Sequence, residues 1–247
     1  MLVEWAYIAN ALIFGSLALV LMADPFGDDD DDDTPPPEPG QDLAGTNNDD
    51  VIDGSAGPDR ILGLGGDDLI QGFGGNDLIE GNTGNDTIYG GTGDDILAGG
   101  GGTDVIFGGP GNDILSSDRM DNDADWQRGG QETLSGGAGD DQLLFSARDI
   151  VTGGTGADDF RMVYDVVGDA ARITDFDPAE DSVTLYADLD LNDPPQITVS
   201  VDETTGTTQV FVDDRAVLTL DGRFTAEQLS VTLRARETIF GDAGITL

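Results

Sequence analysis

The chain has no cysteine, no histidine and no lysine, and each absence removes a kind of chemistry. Without Cys or His it can form neither disulfide bonds nor a zinc site of the usual nitrogen and sulfur ligands. The same absences exclude a His-based catalytic triad, a cysteine nucleophile and a Schiff-base lysine.

Positive charge is scarce as well. Ten arginines stand against 50 acidic residues, which gives a formal net charge of −40 over 247 residues. Such a surface repels phosphate backbones, so nucleic acid is not an expected partner. It attracts cations, and a hard metal ion is the natural means of holding together an extracellular fold that lacks disulfides.

Two unusual segments precede the main part of the chain. Residues 5–22 form an uncharged, largely apolar stretch that is long enough to span a membrane as a helix. We therefore predict residues 1–23 to be a hydrophobic helix that acts as a membrane anchor or a cleaved signal, with a simple buried helix as the alternative. Residues 24–43 contain the aspartate run 28–33 followed by prolines, which predicts a solvated acidic linker.

A nine-residue phrase then recurs eight times without a gap over residues 45–116. Position 1 is always Gly, position 4 is Gly except at Asn48, and position 8 is always Ile or Leu. Asn is the residue next best able to adopt a positive φ. Position 6 is Asp in every copy, at Asp50, Asp59, Asp68, Asp77, Asp86, Asp95, Asp104 and Asp113.

Each column predicts a structural role. Positions 7–9 suit a short strand with one inward apolar side chain, and the glycine-rich loop can turn tightly and direct backbone carbonyls at one point. Successive repeats must stack to bury position 8, which brings the Asp of one loop against the loop one coil later. Residues 45–116 hold 12 Asp and Glu80 against Arg60, a net charge of 1 − 13 = −12. About six calcium ions between stacked loops would balance this charge.

These phrases resemble the GGxGxDxUx nonapeptide of the repeats-in-toxin (RTX) family, the hemolysin-type calcium-binding repeat. The resemblance implies a right-handed parallel β-roll, in which two repeats form one turn. It also implies that several calcium ions are held by the position 6 aspartates together with carbonyls of the glycine loops. We expect this roll to occupy residues 44–161.

The pattern breaks at residues 117–128 and resumes in two weaker copies, whose position 6 residues are Asp141 and Asp158. Within the break, Asp121, Asp123, Asp125 and Glu132 have the spacing of an EF-hand loop, although Trp126 occupies the position that requires Gly. A plain acidic excursion and an additional calcium site are both consistent with this segment.

Residues 162–247 show alternating β-branched runs with turn residues at 204–206 and 213–214, which predicts a small antiparallel β cap. The phrase at 173–185 is similar to the segment that closes such rolls in the RTX family. That resemblance makes Asp175, Asp177 and Asp181 candidates for a last ion.

The sequence as a whole predicts a non-enzymatic calcium-binding protein, extracellular or on the cell surface, that folds when it binds calcium. An alternative is a surface adhesin or carbohydrate-binding module that uses the roll as a spacer. An enzyme is less consistent, because neither G-x-S-x-G nor H-E-x-x-H occurs. An ice-binding face is also disfavoured, because position 3 is irregular.

Overall fold

A computed structural model describes residues 39–118, 130–163, 169–187 and 195–235. The chain divides into two units, residues 1–36 and 37–247, and every described residue belongs to the second unit. The predicted hydrophobic helix at residues 1–23 therefore lies outside the described residues, as do residues 24–38 of the acidic linker, whose last residues already enter the first strand at Asp42–Ala44. In the described ranges no helix is long and apolar enough to cross a membrane.

The described part of the chain is all-β, as predicted, and its strands form two sheets. The first sheet has nine strands in the order β1 (Asp42–Ala44), β3 (Arg60–Gly65), β5 (Leu78–Thr83), β7 (Ile96–Gly101), β9 (Ile114–Ser116), β11 (Gln142–Phe145), β13 (Asp159–Val163), β15 (Ser182–Ala187) and β19 (Val231–Ala235). The second sheet has ten strands in the order β16 (Ile197–Asp202), β17 (Thr207–Val212), β18 (Arg215–Asp221), β14 (Ala171–Ile173), β12 (Ile150–Thr155), β10 (Thr133–Ala138), β8 (Val105–Pro110), β6 (Thr87–Thr92), β4 (Leu69–Gly74) and β2 (Val51–Ser55).

Consecutive repeats alternate between the two sheets, and each strand pairs in parallel with the strand two repeats later. In the first sheet Ile61 pairs with Ile79, and in the second Ile70 pairs with Ile88. Both pairs are 18 residues apart, so one full coil contains two nonapeptides. The prediction of a parallel, roll-like solenoid is confirmed.

The core is the ladder of position 8 side chains. Seven of the eight predicted residues, from Ile61 to Leu115, have an exposed fraction of 0%, and only Ile52 at the open end is partly exposed. Leu134, Leu143, Val151 and Phe160 continue the same ladder in the later coils. Position 8 points inward because side chains alternate between the two faces of a strand, and its neighbours at positions 7 and 9 point outward.

The C-terminal region is only partly the antiparallel cap that alternation predicted. Strands β16, β17 and β18 are antiparallel, with turns at Gly206 (φ 74°) and at Asp213 and Asp214 (φ 49° and 64°), at the two predicted corners. In contrast, β14, β15 and β19 pair in parallel and extend the two sheets of the roll beyond residue 161. Alternation of apolar residues cannot distinguish the two pairings, because it is the same in both.

Candidate metal-binding loops

The position 6 aspartates form two rows, one in the loops that lead into each sheet. The first-sheet row contains Asp59, Asp77, Asp95, Asp113, Asp141 and Asp158, and the second-sheet row contains Asp50, Asp68, Asp86 and Asp104. All are buried except Asp50 at the open end of the roll. The structure therefore brings all ten predicted residues into equivalent places.

Within each row, one carboxylate oxygen joins consecutive coils. The backbone N–H of Asp77 donates to Oδ1 of Asp95 at 2.8 Å, and that of Asp95 donates to Oδ1 of Asp113 at 2.8 Å. The second-sheet row repeats the bond from Asp68 to Asp86 at 2.9 Å and from Asp86 to Asp104 at 2.8 Å. The predicted contact between an Asp and the loop one coil away is thus a direct hydrogen bond.

The other carboxylate oxygen has no hydrogen-bond donor in most of the roll. Buried Oδ2 atoms without a partner occur among the described residues at Asp68, Asp77, Asp86, Asp95, Asp104, Asp113 and Asp141. An unsatisfied buried carboxylate oxygen is costly, because it has lost its water and gained nothing in return. The first loops differ, because Oδ2 of Asp50 accepts the backbone N–H of Thr46 and Oδ2 of Asp59 accepts that of Ser55.

The glycine at position 1 leaves space beside this unpaired oxygen. A Cβ atom built on Gly90 would lie 2.3 Å from Oδ2 of Asp95 and 2.9 Å from the carbonyl oxygen of Gly108. Gly63, Gly72, Gly81 and Gly108 have the same two neighbours at similar distances. Position 1 is therefore Gly because of crowding by a carboxylate and a carbonyl, since none of these glycines has a positive φ.

The positive φ angles lie at positions 2 and 4 of the loops. At position 4, Gly93 has φ 125° and Gly111 has φ 146°. From the third repeat onward position 2 is also left-handed, including the non-glycine residues Leu64, Phe73 and Asn82 at 73–78°. Asn48, which we interpreted as a substitute for a left-handed glycine, does not have a positive φ.

Burial changes the acidity of these carboxyl groups. Burial raises the pKa of Asp86, Asp113 and Asp158 to about 6, and that of Asp95, Asp104 and Asp141 to about 7. Backbone N–H donors act in the opposite direction but do not outweigh the loss of water. Burial thus makes the charged form of these carboxyl groups less favourable than it is in water, and a nearby positive charge would offset that cost.

A calcium ion fits this chemistry. Calcium takes carboxylate and carbonyl oxygens as ligands, and most interior loops place an unpaired carboxylate oxygen next to a backbone carbonyl. No group of three or more acidic side chains suited to a metal occurs within the described ranges. A bound ion would therefore take many of its ligands from backbone carbonyls.

A second ladder, at position 5, was missed by the sequence analysis. The backbone N–H of Asn85 donates to Oδ1 of Asp67 at 2.8 Å, and that of Asn112 donates to Oδ1 of Asp94 at 2.8 Å. These side chains are exposed, so water also reaches them. The recurrence of Asp or Asn just before the position 6 Asp was the signal for this ladder.

Two members of the second-sheet row were also missed. Thr133 and Ile150 occupy the register of Val105, so the residues before them, Glu132 and Asp149, take the place of Asp104 in the next two coils. The signal was an acid followed by the x-U-x-Gly pattern, without a glycine loop before it. The sequence had offered Glu132 only as one position of a possible EF-hand-like loop, beside the interpretation as a plain acidic excursion; Asp121, Asp123 and Asp125 of that loop lie outside the described residues.

Glu132 and Asp149 are completely buried and close to each other. Burial, followed by the neighbouring Asp149 carboxyl group, raises the pKa of Glu132. Burial also raises the pKa of Asp149.

The three C-terminal candidates have protein donors. Both oxygens of Asp175 accept backbone N–H groups, from Gly153 at 3.0 Å and Gly154 at 2.8 Å. Asp181 continues the first-sheet row, because its Oδ1 accepts the N–H of Asp158 at 3.0 Å, but its Oδ2 is occupied by the N–H of Asp177. These residues close the last coil by hydrogen bonds, and calcium binding there stays a prediction.

Comparison with known proteins agrees with this geometry. The profile of the RTX calcium-binding nonapeptide repeat matches the chain four times, at residues 44–79, 71–106, 80–115 and 128–144. Residues 44–115 and 128–144 therefore carry RTX calcium-binding nonapeptide repeats, and the predicted resemblance is confirmed there. No curated protein matches the chain.

Two solved structures resemble the chain at low similarity. The AlgE6R3 subunit of the mannuronan C5-epimerase from Azotobacter vinelandii is 20% identical with a TM-score of 0.24, covering 81% of this chain and 84% of that chain. The extracellular lipase LipA from Serratia marcescens is 18% identical with a TM-score of 0.30, covering 73% of this chain and 40% of that chain. Neither likeness bears on the function of this chain.

Proposed function

We propose that this chain is a non-enzymatic, extracytoplasmic calcium-binding protein, whose right-handed roll folds when calcium enters its loops. The observation that carries the proposal is the series of seven buried Oδ2 atoms without donors among the described residues. Each lies beside a glycine whose missing Cβ leaves space for it, and at six of the seven that space also borders a backbone carbonyl. A row of such sites is unfavourable without a cation and favourable with one.

Calcium at extracellular concentration suits such sites, because extracellular modules bind it at about 10⁻⁴ to 10⁻³ M. In this range the protein would fold outside the cytosol and remain largely unfolded inside it. About six ions in the run 45–116 would balance its charge.

The adhesin or carbohydrate-binding alternative gains little from the described residues. Sugar recognition usually needs exposed aromatic rings, yet Phe176 and Tyr186 in the C-terminal region are buried. Phe176 packs against Phe160 and Phe224 within the core.

The test compares two neighbouring aspartates in the full chain. Asp95→Asn keeps Oδ1, which accepts the N–H of Asp77, and replaces the unpaired Oδ2 by an amide. We expect this variant to bind at least one calcium ion fewer and to need several-fold more calcium for folding. Calcium titration followed by circular dichroism and isothermal titration calorimetry measures both quantities.

Asp94→Asn is the matched control, since Asp94 is exposed and an amide oxygen can still accept the N–H of Asn112. Its calcium titration should match that of the unchanged protein. A wild-type chain with the same β signal in calcium-free and calcium-containing buffer would contradict the proposal, and so would equal behaviour of the two variants.

A further inference from the structure

The Glu132–Asp149 pair lies where the nonapeptide pattern is interrupted. Glu132 is 1% exposed and Asp149 is 0% exposed, so neither carboxyl group has bulk water around it. They follow Asp104, which is also 0% exposed, in the second-sheet row. Three consecutive coils thus bury one acid each.

Donors reach only one member of the pair. Oδ1 of Asp149 accepts the backbone N–H of Glu132 at 3.2 Å, and Oδ2 accepts the N–H of Ser146 at 2.8 Å. The Ser117 side chain also hydrogen-bonds Asp149. For Glu132, both Oε1 and Oε2 are buried without a donor, although its carboxyl group lies within reach of the Asp149 carboxyl group.

Two carboxyl groups in contact need either a shared proton or a cation between them. A shared proton would satisfy one oxygen of Glu132 and leave the other buried without a partner. A calcium ion can take both oxygens of one carboxylate and an oxygen of a second one. The two unpaired oxygens of Glu132 therefore favour the cation.

We propose that Glu132 and Asp149 hold a calcium ion of their own, at a site outside the nonapeptide consensus, with the Ser117 hydroxyl as a further oxygen ligand. This inference rests on the proposed function, because it assumes that the chain binds calcium. The ion would join the end of β9, the start of β10 and the turn before β12, which are the elements that flank the interruption. It would hold together the two parts of the roll that the break in the repeats separates.

The experiment counts calcium ions bound to the full chain. Glu132→Gln removes the charge and supplies an amide donor toward Asp149, so it should bind one ion fewer than the wild type. Asp149→Asn should lose the same ion, and the double variant should also lose one ion, not two. Equilibrium dialysis with metal analysis gives the counts, and calorimetry gives the affinities.

Glu227→Gln is the matched control, since Glu227 is exposed and far along the chain from the pair. It should keep the full complement of ions. If Glu132→Gln does not fold, Glu132→Asp provides a second test, because it restores the residue type of the row and should retain the ion with weaker affinity.

A full ion count in Glu132→Gln, or a loss of two ions in the double variant, would overturn the inference and favour a shared proton. A wild-type chain that binds no calcium would instead contradict the proposed function. The two failures are therefore distinguishable.

Discussion

The interior coils and the C-terminal region satisfy their buried polar groups in different ways. In the described residues, buried side-chain oxygens without partners occur only from Asp68 to Gln142. Beyond that point, Thr208 is equally buried, but its hydroxyl donates to the carbonyl of Gly222 at 2.9 Å and accepts the N–H of Phe224 at 2.8 Å. Protein groups thus satisfy this buried hydroxyl of the C-terminal region, whereas the interior coils leave buried carboxylate oxygens without donors.

Positive charge also differs between the interior coils and the C-terminal region. Residues 45–116 contain a single arginine, Arg60, while residues 171–235 contain four. In the C-terminal region, Arg172 pairs with Asp221 and Arg223 pairs with Glu203. The interior coils have many carboxylates and almost no protein cation, so their stability should depend on a metal ion while that of the C-terminal region should not.

The largest expected effect is that of pH on the calcium-free roll. The folded-state pKa values of the interior aspartates, about 6 to 7, lie above the ordinary value of 3.8. The folded state therefore holds more protons than the unfolded state, so its stability is greatest at low pH and is lost as pH rises through this range. In calcium-free buffer we expect more β signal at pH 4.5 than at pH 7.5, measured by circular dichroism and urea unfolding.

Saturating calcium should reverse this dependence, because the ion needs ionised carboxylates and protons compete with it. The same measurement in about 1 M sodium chloride separates the effect of the buried carboxyl groups from that of repulsion between surface charges, because salt screens the surface charges. Calcium-free stability that increases from pH 4.5 to pH 7.5 would show that the buried aspartates do not control it.

The second effect is steric and concerns position 1 of the loops. Gly90→Ala would place a methyl group 2.3 Å from Oδ2 of Asp95, in the space that separates the carboxylate from a carbonyl. Overpacking of this kind costs about 1–3 kcal/mol, and it should also weaken calcium binding at that loop. Thermal unfolding in saturating calcium and a calcium titration measure the two losses.

Gly101→Ala is the control within the same roll. Gly101 has no positive φ, and the nearest atom to its added Cβ would be the carbonyl oxygen of Asn82 at 3.9 Å. We expect its melting temperature and calcium titration to stay close to those of the wild type. Equal losses in the two variants would mean that the conformational freedom of glycine matters at both positions more than the space beside Asp95.

Sequence periodicity predicted the interior coils well because every residue in them repeats one environment. The strands, the inward position 8 and the burial of position 6 all follow from an 18-residue coil, so Asp95 could be assigned from its position alone. The sequence could not tell whether a glycine is needed to avoid a clash or to adopt a positive φ, because glycine meets both requirements. Only the structure shows that Gly90 avoids a clash while Gly91, at φ 119°, provides the turn.

Prediction was weaker where the glycine loop is lost. Glu132 and Asp149 keep the strand pattern that follows the acid but not the loop that precedes it, so their place in the row depends on pairing across coils. Parallel pairing of β15 with β19 was missed for the same reason, because residues 48 positions apart meet only through the fold. Such contacts leave no local period in the sequence.

The smallest expected effect is at the ion pair that joins β14 to β18. Arg172 contacts Asp221 through two bonds, Nε to Oδ1 at 2.9 Å and an Nη atom to Oδ2 at 2.6 Å, but half of the arginine side chain is exposed. Arg172→Gln should therefore cost about 0–1 kcal/mol, equally with and without calcium, when the unfolding of the C-terminal strands is followed by hydrogen exchange. Arg223→Gln, which loses a more exposed pair with Glu203, is the control and should cost less. A loss in Arg172→Gln that appears only when calcium is removed would mean that the C-terminal region shares the metal dependence of the roll, and the contrast between the two regions would not hold.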